Sequence, residues 1–372
     1  MNWLTLLLLS VTALHAFTGV FKPGFQLNHL DSTHWNSYLS LRLMDKPRFG
    51  PVRTDFAWVI CPTVGNPALK GPENEQSQFR ITDPDARIFP TEWNGDENFS
   101  ILQNIDRLSL QVKPARVRIT LGRQAIYWGV SKSISPTDFI APFPYGAINT
   151  DYRAGVDAIR AVYPIGMMSE IESGFVFGDN AEVEQSGYWL RTRLYALNTD
   201  ISILAAEFRK NKLLGASLNR AIGGSVGWVE SAVTKPEEED CYYRLSTGLE
   251  RSFWNSTLYG FVEYHFNQPG VSNHNDYLQN STQPAYATGG VYLMAKHYLA
   301  TGLSVTATPL LTLNASSLLN MNDHSIQLSA GADYSLSDNS AVSGVISGGA
   351  GSEGTEFGAM HTTLSLIVSI YF

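Results

Sequence analysis

Apolar and polar residues alternate one by one along much of the chain. In the segment RVRITL, at positions 116–121, every second residue is apolar and the residues between them are Arg or Thr. Successive side chains of a β-strand point to opposite faces, so this segment predicts a strand with one apolar and one basic face. In a soluble sandwich the basic face would turn outward, whereas in a membrane barrel it would turn inward.

Sixteen segments with this period follow one another between Thr54 and Phe372, when Gly290 to Leu293 is taken as loop. A further hairpin before Thr54, where the pattern is less regular, would raise the number to 18. Both numbers are even, as a closed antiparallel barrel with both chain ends on one side requires.

The connections between these segments alternate in length. Short turns, such as Lys113–Ala115, alternate with long polar stretches, above all Pro62 to Phe99 and Asn267 to Tyr286. Outer-membrane barrels have short turns on the periplasmic side and longer loops on the outer side. The predicted fold class is therefore all-β: a transmembrane, antiparallel, up-and-down β-barrel of 16 strands, or of 18, in the bacterial outer membrane.

The composition agrees with half-apolar strands. The chain has 372 residues, of which 16% are charged, against about 25% in typical soluble domains. After the first twenty positions there is no apolar run of about 18 residues, so membrane-spanning helices are not predicted. The net charge of −8 argues against broad nucleic-acid binding. Since no break in composition divides the chain, we expect one barrel domain over residues 17–372.

The first 16 residues have the character of a secretory signal peptide. An apolar core, LTLLLLSVTAL, is followed by the small residue Ala16 at the expected cleavage point. The leader contains no Lys or Arg, so its only positive charge is the α-amino group. The alternative is a buried N-terminal strand or helix.

The chain ends in a strand that closes with an aromatic residue. In the segment LSLIVSIYF, the apolar residues Leu364, Leu366, Val368, Ile370 and Phe372 share one face. This ending resembles the terminal signal of bacterial outer-membrane proteins. The resemblance implies that the barrel-assembly machinery recognises Phe372.

Arginines on the polar strand faces are the main candidates for chemistry. An Arg or Lys on the lipid face near the middle of the membrane costs about 2–4 kcal/mol, so we expect these side chains in the lumen. The predicted pore-lining residues are Arg107, Arg116, Arg118, Arg123, Asp138, Arg153, Asp157, Arg191 and Arg193. Arg160 has the opposite parity to Asp157, which indicates either a bulge or a position at the membrane rim. The alternative role of the arginines is to pair with acids and plug the barrel.

A proline-rich segment, SISPTDFIAPFPYGAIN at 133–149, interrupts the pattern at the outer end of these strands. Its three prolines exclude a central strand. We expect this loop to fold inward, to narrow the pore and to set Asp138 opposite the arginines; an ordinary outward loop is the alternative. Nearby aromatic residues would form an interfacial girdle or stack on sugar faces: Tyr127, Trp128, Phe139, Phe143, Tyr145 and Tyr152.

Two cysteines, Cys61 and Cys241, stand where predicted strands meet polar loops on the outer side. In an oxidising compartment they would form a disulfide that ties two loops if the sites approach each other, and would otherwise stay free thiols. Their spacing in the sequence is compatible with both outcomes.

The segment between Leu108 and Pro164 resembles a known family. LGRQAIYWG, followed by SPTDFIAPFPYGAINTDYRAGVDAIR and at the chain end by LSLIVSIYF, is similar to the alginate-export and related porin-like families of Gram-negative outer membranes. The resemblance implies a passive outer-membrane channel. The chain departs from the family in its length, which is short for an 18-stranded exporter. The shared motif contains Gly122, Arg123, Gln124, Trp128 and Gly129.

No enzyme motif accompanies this pattern, because the histidines are scattered and no zinc-ligand spacing, nucleophile elbow or P-loop is present. We therefore expect neither enzymatic activity nor a cofactor. The predicted function is a porin-like channel that passes small, anionic, hydrophilic solutes by diffusion. The alternatives are an exporter of an anionic polysaccharide and a closed barrel that acts as a surface adhesin or scaffold. The expected partners are membrane lipid, the solute and further copies of the chain in a homo-oligomer.

Overall fold

The computed structural model describes residues 17–29, 33–65, 79–81, 99–141, 152–237, 239–287 and 290–372. The predicted signal peptide at 1–16, most of the loop from Pro62 to Phe99, and positions 142–149 of the predicted inward loop lie outside the described residues. Within the described ranges the chain forms one sheet of 19 antiparallel strands.

The strands follow one another around the sheet in nearly sequential order. They are β1 (Thr18–His29), β2 (Thr33–Asp45), β3 (Arg48–Phe49), β4 (Val52–Gly65), β5 (Phe99–Val112), β6 (Arg118–Gln124), β7 (Val156–Pro164), β8 (Glu170–Val176), β9 (Gly187–Ala196), β10 (Thr199–Phe208), β11 (Asn211–Ile222), β12 (Ser225–Lys235), β13 (Tyr242–Phe253), β14 (Leu258–Asn267), β15 (His297–Thr308), β16 (Leu311–Asn320), β17 (Ile326–Ser337), β18 (Ser340–Ala350) and β19 (Thr362–Tyr371).

The sheet closes on itself because the first strand pairs with the last. β1 pairs with β2 along one edge and with β19 along the other, where Val20 lies opposite Tyr371. Backbone hydrogen bonds run in both directions between Gly19 and Phe372. The two-residue strand β3 belongs to the turn between β2 and β4, which also pair directly. The result is a closed antiparallel barrel of 18 strands with one short extra strand.

The prediction of 16 strands is therefore two strands short, and the alternative of 18 is the right one. All the strands predicted from Thr54 onward are present as β4 to β19, and the missing pair is β1 and β2. Pro23 and Gly24 weaken the alternating pattern of β1. A side chain at position 24 would collide with the ring of Tyr38, so close packing within the hairpin requires the glycine that makes β1 hard to recognise.

The connections at the two ends of the barrel differ in length. At the end where β1 begins and β19 ends, the turns are short, such as Gly223–Gly224 between β11 and β12. Both glycines have positive φ, 56° and 84°, as a two-residue hairpin turn requires. The connections 66–98, 125–155 and 268–296 are all at the opposite end. This asymmetry confirms the predicted alternation of short turns and long loops.

Side chains alternate between an apolar outer face and a polar inner face. On the outer face of β9, β11 and β12, Leu190, Leu214 and Val229 are exposed. On the inner face, Glu230 and Glu263 are fully buried. An apolar surface around a polar interior is the reverse of a soluble protein and is typical of a barrel that has lipid around it.

The connections contain only short helical segments within the described ranges. These are α1 (Tyr277–Asn280), α2 (Pro284–Ala287) and 3₁₀ turns at Asp179–Ala181, Val183–Gln185 and His274–Asp276. In the part of the chain that the structure describes, no helix has both the length and the apolar character needed to cross a membrane.

Candidate functional site

The start of the connection between β6 and β7, residues 125–141, lies inside the barrel; we call it the inner loop. Its apolar side chains pack against the inner wall on β9 and β10. The rings of Trp128 and Trp189 have centroids 5.3 Å apart, and those of Phe139 and Phe208 are stacked at 3.8 Å. Trp128 and Phe139, which the sequence suggested for an interfacial girdle or for sugar stacking, are thus buried core residues.

Glu230 on β12 holds one part of the inner loop. Its Oε2 atom accepts hydrogen bonds from the backbone N–H groups of Val130 and Ser131, at 2.8 and 2.9 Å, and from the Ser131 hydroxyl. Its Oε1 atom accepts from the backbone N–H of Thr137 at 3.0 Å and from the hydroxyls of Ser135 and Thr137. This carboxylate is 0% exposed and receives six hydrogen bonds from the loop.

Glu263 on β14 binds the loop residues 132–134, which lie between those bound by Glu230. Its Oε2 atom accepts from the backbone N–H of Lys132 at 2.7 Å, and its Oε1 atom accepts from that of Ile134 at 2.9 Å. The N–H of Ser133 lies 3.3 Å from Oε1 and 3.4 Å from Oε2. The indole Nε1 of Trp228 donates to Oε2 at 3.0 Å. Glu263 is also 0% exposed.

A third wall carboxylate, Glu172 on β8, binds side chains. Both Trp128 and Trp189 donate their indole N–H groups to its Oε1 atom at 3.0 Å. Arg160 on β7 donates to its Oε2 atom at 2.6 Å. Arg160 therefore contacts the inner wall, and β7 pairs with both neighbouring strands without a register shift, so the bulge that its parity suggested is absent from β7.

Asp138 forms an ion pair with Arg153, which follows the undescribed part of the connection. Arg153 also donates to the backbone carbonyl of Ala141 and lies over the ring of Tyr127, 4.2 Å from its centroid. Burial raises the pKa of Asp138 to about 6, while the neighbouring Arg153 acts in the opposite direction. Asp138 is thus paired with Arg153, one of the arginines that were predicted to line the pore.

Asp106 on β5 organises a second charged cluster. Its carboxylate pairs with Arg42 on β2 and with Arg107 beside it, and it accepts the backbone N–H of Gly155 at 2.8 Å. Arg107 also donates to the backbone carbonyl of Arg153 at 2.6 Å. A register shift between β4 and β5 at this point allows the consecutive residues 106 and 107 to contact the same cluster.

Arg123 and Asp157 form a cross-strand ion pair on β6 and β7, with Nε and Oδ1 2.8 Å apart. The register sets Arg123 opposite Leu108 on its other side, and Leu108 is 57% exposed. Because β7 alternates regularly, Asp157 lies on the strand face opposite to Arg160. The structure thus brings Arg123 and Asp157 together. They lie on the strand face opposite to Arg160, which is on the inner face, and this position does not favour the prediction that they line the pore.

The remaining predicted arginines occupy two places. Arg191 and Arg193 alternate with the exposed Leu190 along β9; Arg191 donates to the Ser202 hydroxyl at 2.9 Å, and Arg193 lies 3.9 Å from Glu170. Arg116 lies in the turn before β6, Arg118 is the first residue of β6, and both are exposed. Neither of these two has an ion-pair partner among the described residues.

A basic cavity of about 340 Å³ lies on the inner wall between β4 and β7. Hydroxyl and amide side chains, such as Ser109 and Gln111, contribute to its lining. Asp55 is the single acid among the described residues that line it. Five cations line it: Lys46, Arg48, Arg53, Arg107 and Arg160.

The inner loop contributes one further cation to the lumen. Lys132 lies with its Nζ atom 2.9 Å from Glu250 on β13 and 5.8 Å from the centre of the Trp228 ring. Its side chain is 37% exposed, whereas that of Glu250 is 16% exposed. Tyr259 also donates its hydroxyl to Glu250.

The two cysteines do not form a disulfide in the structure. Cys61 is buried on β4, with its Sγ atom 3.8 Å from the Thr63 hydroxyl, and Cys241 is exposed before β13. Of the two outcomes compatible with the sequence, the structure contains the one without the disulfide. Elsewhere in the described ranges, no group of three or more His, Cys, Asp or Glu side chains is arranged to hold a metal ion.

Sequence reasoning did not find the wall carboxylates Glu230 and Glu263 or the cations Lys46, Arg48 and Arg53. A signal for the glutamates was present, because each is a lone acid on the polar face of a strongly alternating strand. The cations stand in and beside the turn between β2 and β4, where the alternating pattern stops, so parity gave no indication of where they point.

A closed 18-stranded antiparallel barrel with an apolar outer face and an inner loop defines the class of large outer-membrane barrels. Among solved structures it is similar to OccAB4 of Acinetobacter baumannii, with a TM-score of 0.59 and 9% identity over 96% of this chain and 97% of that chain. The outer membrane protein OpdK of Pseudomonas aeruginosa gives 0.57 and 8% over 96% and 98%. OccD3 (OpdP) of the same organism gives 0.58 and 9% over 96% and 91%.

Identities this low show a shared fold. No protein-family model and no curated protein matches the chain. The solved structures that share this fold are outer-membrane barrels of the Occ and OprD type and not of the alginate-export type, so that part of the sequence-based resemblance is corrected. The motif residues behind it serve loop packing: Gly122 has φ of 104° and no room for a side chain beside Leu108, and Trp128 binds Glu172. A motif set by such packing does not distinguish one family of barrels from another.

Proposed function

We propose that the chain is a porin-like channel of the bacterial outer membrane that passes small, hydrophilic, preferentially anionic solutes by diffusion. The observation that carries this proposal is the basic cavity on the inner wall, where five cations and one acid are among the lining residues. Cations that face water inside a low-dielectric wall focus an electric field and raise the local concentration of anions.

The acids of the interior support the same preference. Glu230 and Glu263 are fully buried beneath the inner loop, and Asp106 and Asp138 are paired with arginines. Their charges are compensated by hydrogen bonds and guanidinium groups, so a passing solute is expected to feel them weakly. Arg107 and Arg160 are themselves paired with Asp106 and Glu172, so the positive excess of the cavity rests on Lys46, Arg48 and Arg53 against the single acid Asp55. We therefore expect a positive local charge in the lumen although the net charge of the chain is −8.

Reversal potential across a salt gradient, recorded on single channels of the refolded full chain, tests the proposal. We expect steady conductance with anion preference, and a smaller preference in Lys46→Ala/Arg53→Ala. Lys212→Ala is the matched control, because Lys212 is exposed on β11 next to the outward Leu214. A correctly folded barrel without conductance would contradict the channel and favour the closed scaffold. An anion preference that is the same in the double variant as in the wild type would contradict the role of the cavity.

Several finer expectations accompany the proposal. The barrel-assembly machinery would recognise the strand that ends at Phe372, and membrane lipid would cover the apolar outer face. Homo-oligomers and the absence of catalysis also stay predictions. The exporter alternative has no supporting observation of its own, since the fold neighbours favour the Occ and OprD type.

A further inference from the structure

Six backbone amides of the inner loop point at two wall carboxylates. The N–H groups of residues 130, 131 and 137 donate to Glu230, and those of residues 132, 133 and 134 donate to Glu263. This part of the loop belongs to no helix or strand, so its amides have no regular backbone partners. A buried N–H without an acceptor costs about 1–3 kcal/mol, so the two carboxylates replace the hydrogen bonding that secondary structure would provide.

We propose that Glu230 and Glu263 are positioning residues that fix the inner loop to the wall as a permanent constriction. The inference deepens the proposed function and rests on it, because a constriction has meaning only in a channel. The loop is also held at its carbonyl groups. The Ser246 hydroxyl donates to the carbonyl of Ile134 at 2.5 Å, and Arg244 donates to that of Pro136 at 2.7 Å.

The two attachments hold neighbouring stretches of one chain. Residues 130–131 are bound to β12 and residues 132–134 to β14, so neither stretch can leave the wall without displacing the other. We therefore expect the two carboxylates to act as a unit, with coupled effects when both are changed.

The chemistry of the partners predicts which attachment is more sensitive. A carboxylate only accepts hydrogen bonds, whereas a carboxamide of the same shape turns one acceptor into a donor. Around Glu230, three of the six donors are hydroxyls, which can reverse their role and accept from a carboxamide. Around Glu263 every donor is an N–H group. Glu263→Gln should therefore loosen the loop more than Glu230→Gln.

Amide hydrogen exchange on the refolded full-length barrel tests this proposal without relying on transport. In the wild type, the amides of residues 130–134 and 137 should exchange as slowly as strand amides. In Glu263→Gln their exchange should rise about tenfold, which is the population change expected for about 1.4 kcal/mol of lost attachment. Glu230→Gln should raise it less, and strand amides should be unaffected in both variants.

Glu250→Gln is the matched control for exchange. Glu250 is another inner-wall glutamate beside the loop, but it binds the Lys132 ammonium group and the Tyr259 hydroxyl and accepts no loop amide. Its substitution should leave exchange at residues 130–134 unchanged. Fast exchange of these amides in the wild type, or equal acceleration of strand amides in Glu263→Gln, would overturn the proposal. Wild-type conductance is a separate readout. If the loop amides are protected but the barrel does not conduct, the proposed channel function is contradicted and the attachment of the loop by Glu230 and Glu263 is supported.

Discussion

Two regions of the inner wall handle charge in opposite ways. On strands β8 to β14, which we call the latch wall, the carboxylates of Glu172, Glu230 and Glu263 are buried and saturated with hydrogen bonds from the inner loop and nearby side chains. On strands β2 to β7, the basic wall, cations line a cavity. The acids of the latch wall build structure. The basic wall also has a buried cluster at Asp106, but part of its positive charge lines a cavity.

This difference explains why the net charge is a poor guide to selectivity. A charge that is buried and compensated adds to the formal sum but adds little to the field in the lumen. We expect the accessible charges to decide selectivity, and cations outnumber acids five to one among the described residues that line the basic cavity.

The largest effect is expected when Asp106 is replaced, since it is the one strongly buried acid among the described residues of the basic wall. Asp106→Asn leaves Arg42 and Arg107 with an amide in place of a carboxylate, and Arg42 is almost fully buried. Removing one partner of a buried ion pair costs about 3–5 kcal/mol. We expect the free energy of unfolding in urea to fall by this amount. Unfolding is monitored by the mobility of heated and unheated protein on gels. Asp55→Asn, which removes a half-exposed acid from the same wall, should cost far less; equal losses would contradict the structural role of Asp106.

An intermediate effect concerns the Lys132–Glu250 pair, in which a cation of the inner loop contacts a partly exposed acid of the latch wall. Lys132→Gln would leave the carboxylate of Glu250 without its cation and should shift the reversal potential toward cation preference. Glu250→Gln should shift it toward anion preference. The double substitution should return it near the wild-type value, because the pair is neutral. Shifts of the same sign in both single variants would show that the selectivity arises from loop displacement and not from charge.

The smallest expected effect is a dependence on pH. Because burial raises the pKa of Asp138 from 3.8 to about 6, the folded chain binds a proton between these values that the unfolded chain does not, and stability should rise as the pH falls through this window. Protonation also leaves Arg153 without its anionic partner, so anion preference should increase between pH 7 and pH 5. Asp138→Asn should flatten both profiles. A midpoint that is unchanged in this variant would assign the titration to another group.

Much of the fold could be predicted from the sequence because side-chain alternation is a local property. The strands from β4 onward, the alternation of short and long connections and the even strand count all follow from period and turn length. The hairpin of β1 and β2 was uncertain, since Pro23 and Gly24 interrupt the pattern of β1. The reason for the glycine becomes visible only in the structure, where the ring of Tyr38 packs against it.

Less of the candidate site could be predicted, because its contacts join distant parts of the chain. Glu230 is 100 positions from Val130, and Glu263 is 131 positions from Lys132. No local pattern indicates which amides a lone acid on a strand will bind. Arg123 is a different case: strict alternation from Leu121 already placed it on the apolar face, and its ion pair with Asp157 explains how a charge is accommodated there.

The pairing of β1 with β19 has a consequence for how the barrel is made. The last seam joins residues from the two extremes of the chain, so no subset of strands can close the cylinder, and every partial sheet exposes two unpaired edges. Contacts so remote in sequence form slowly, because the entropy of bringing them together must be overcome before they yield any stabilisation. We therefore expect assembly to pass through an open, adhesive sheet, and protection of its edges by another protein to raise the yield of closed barrels.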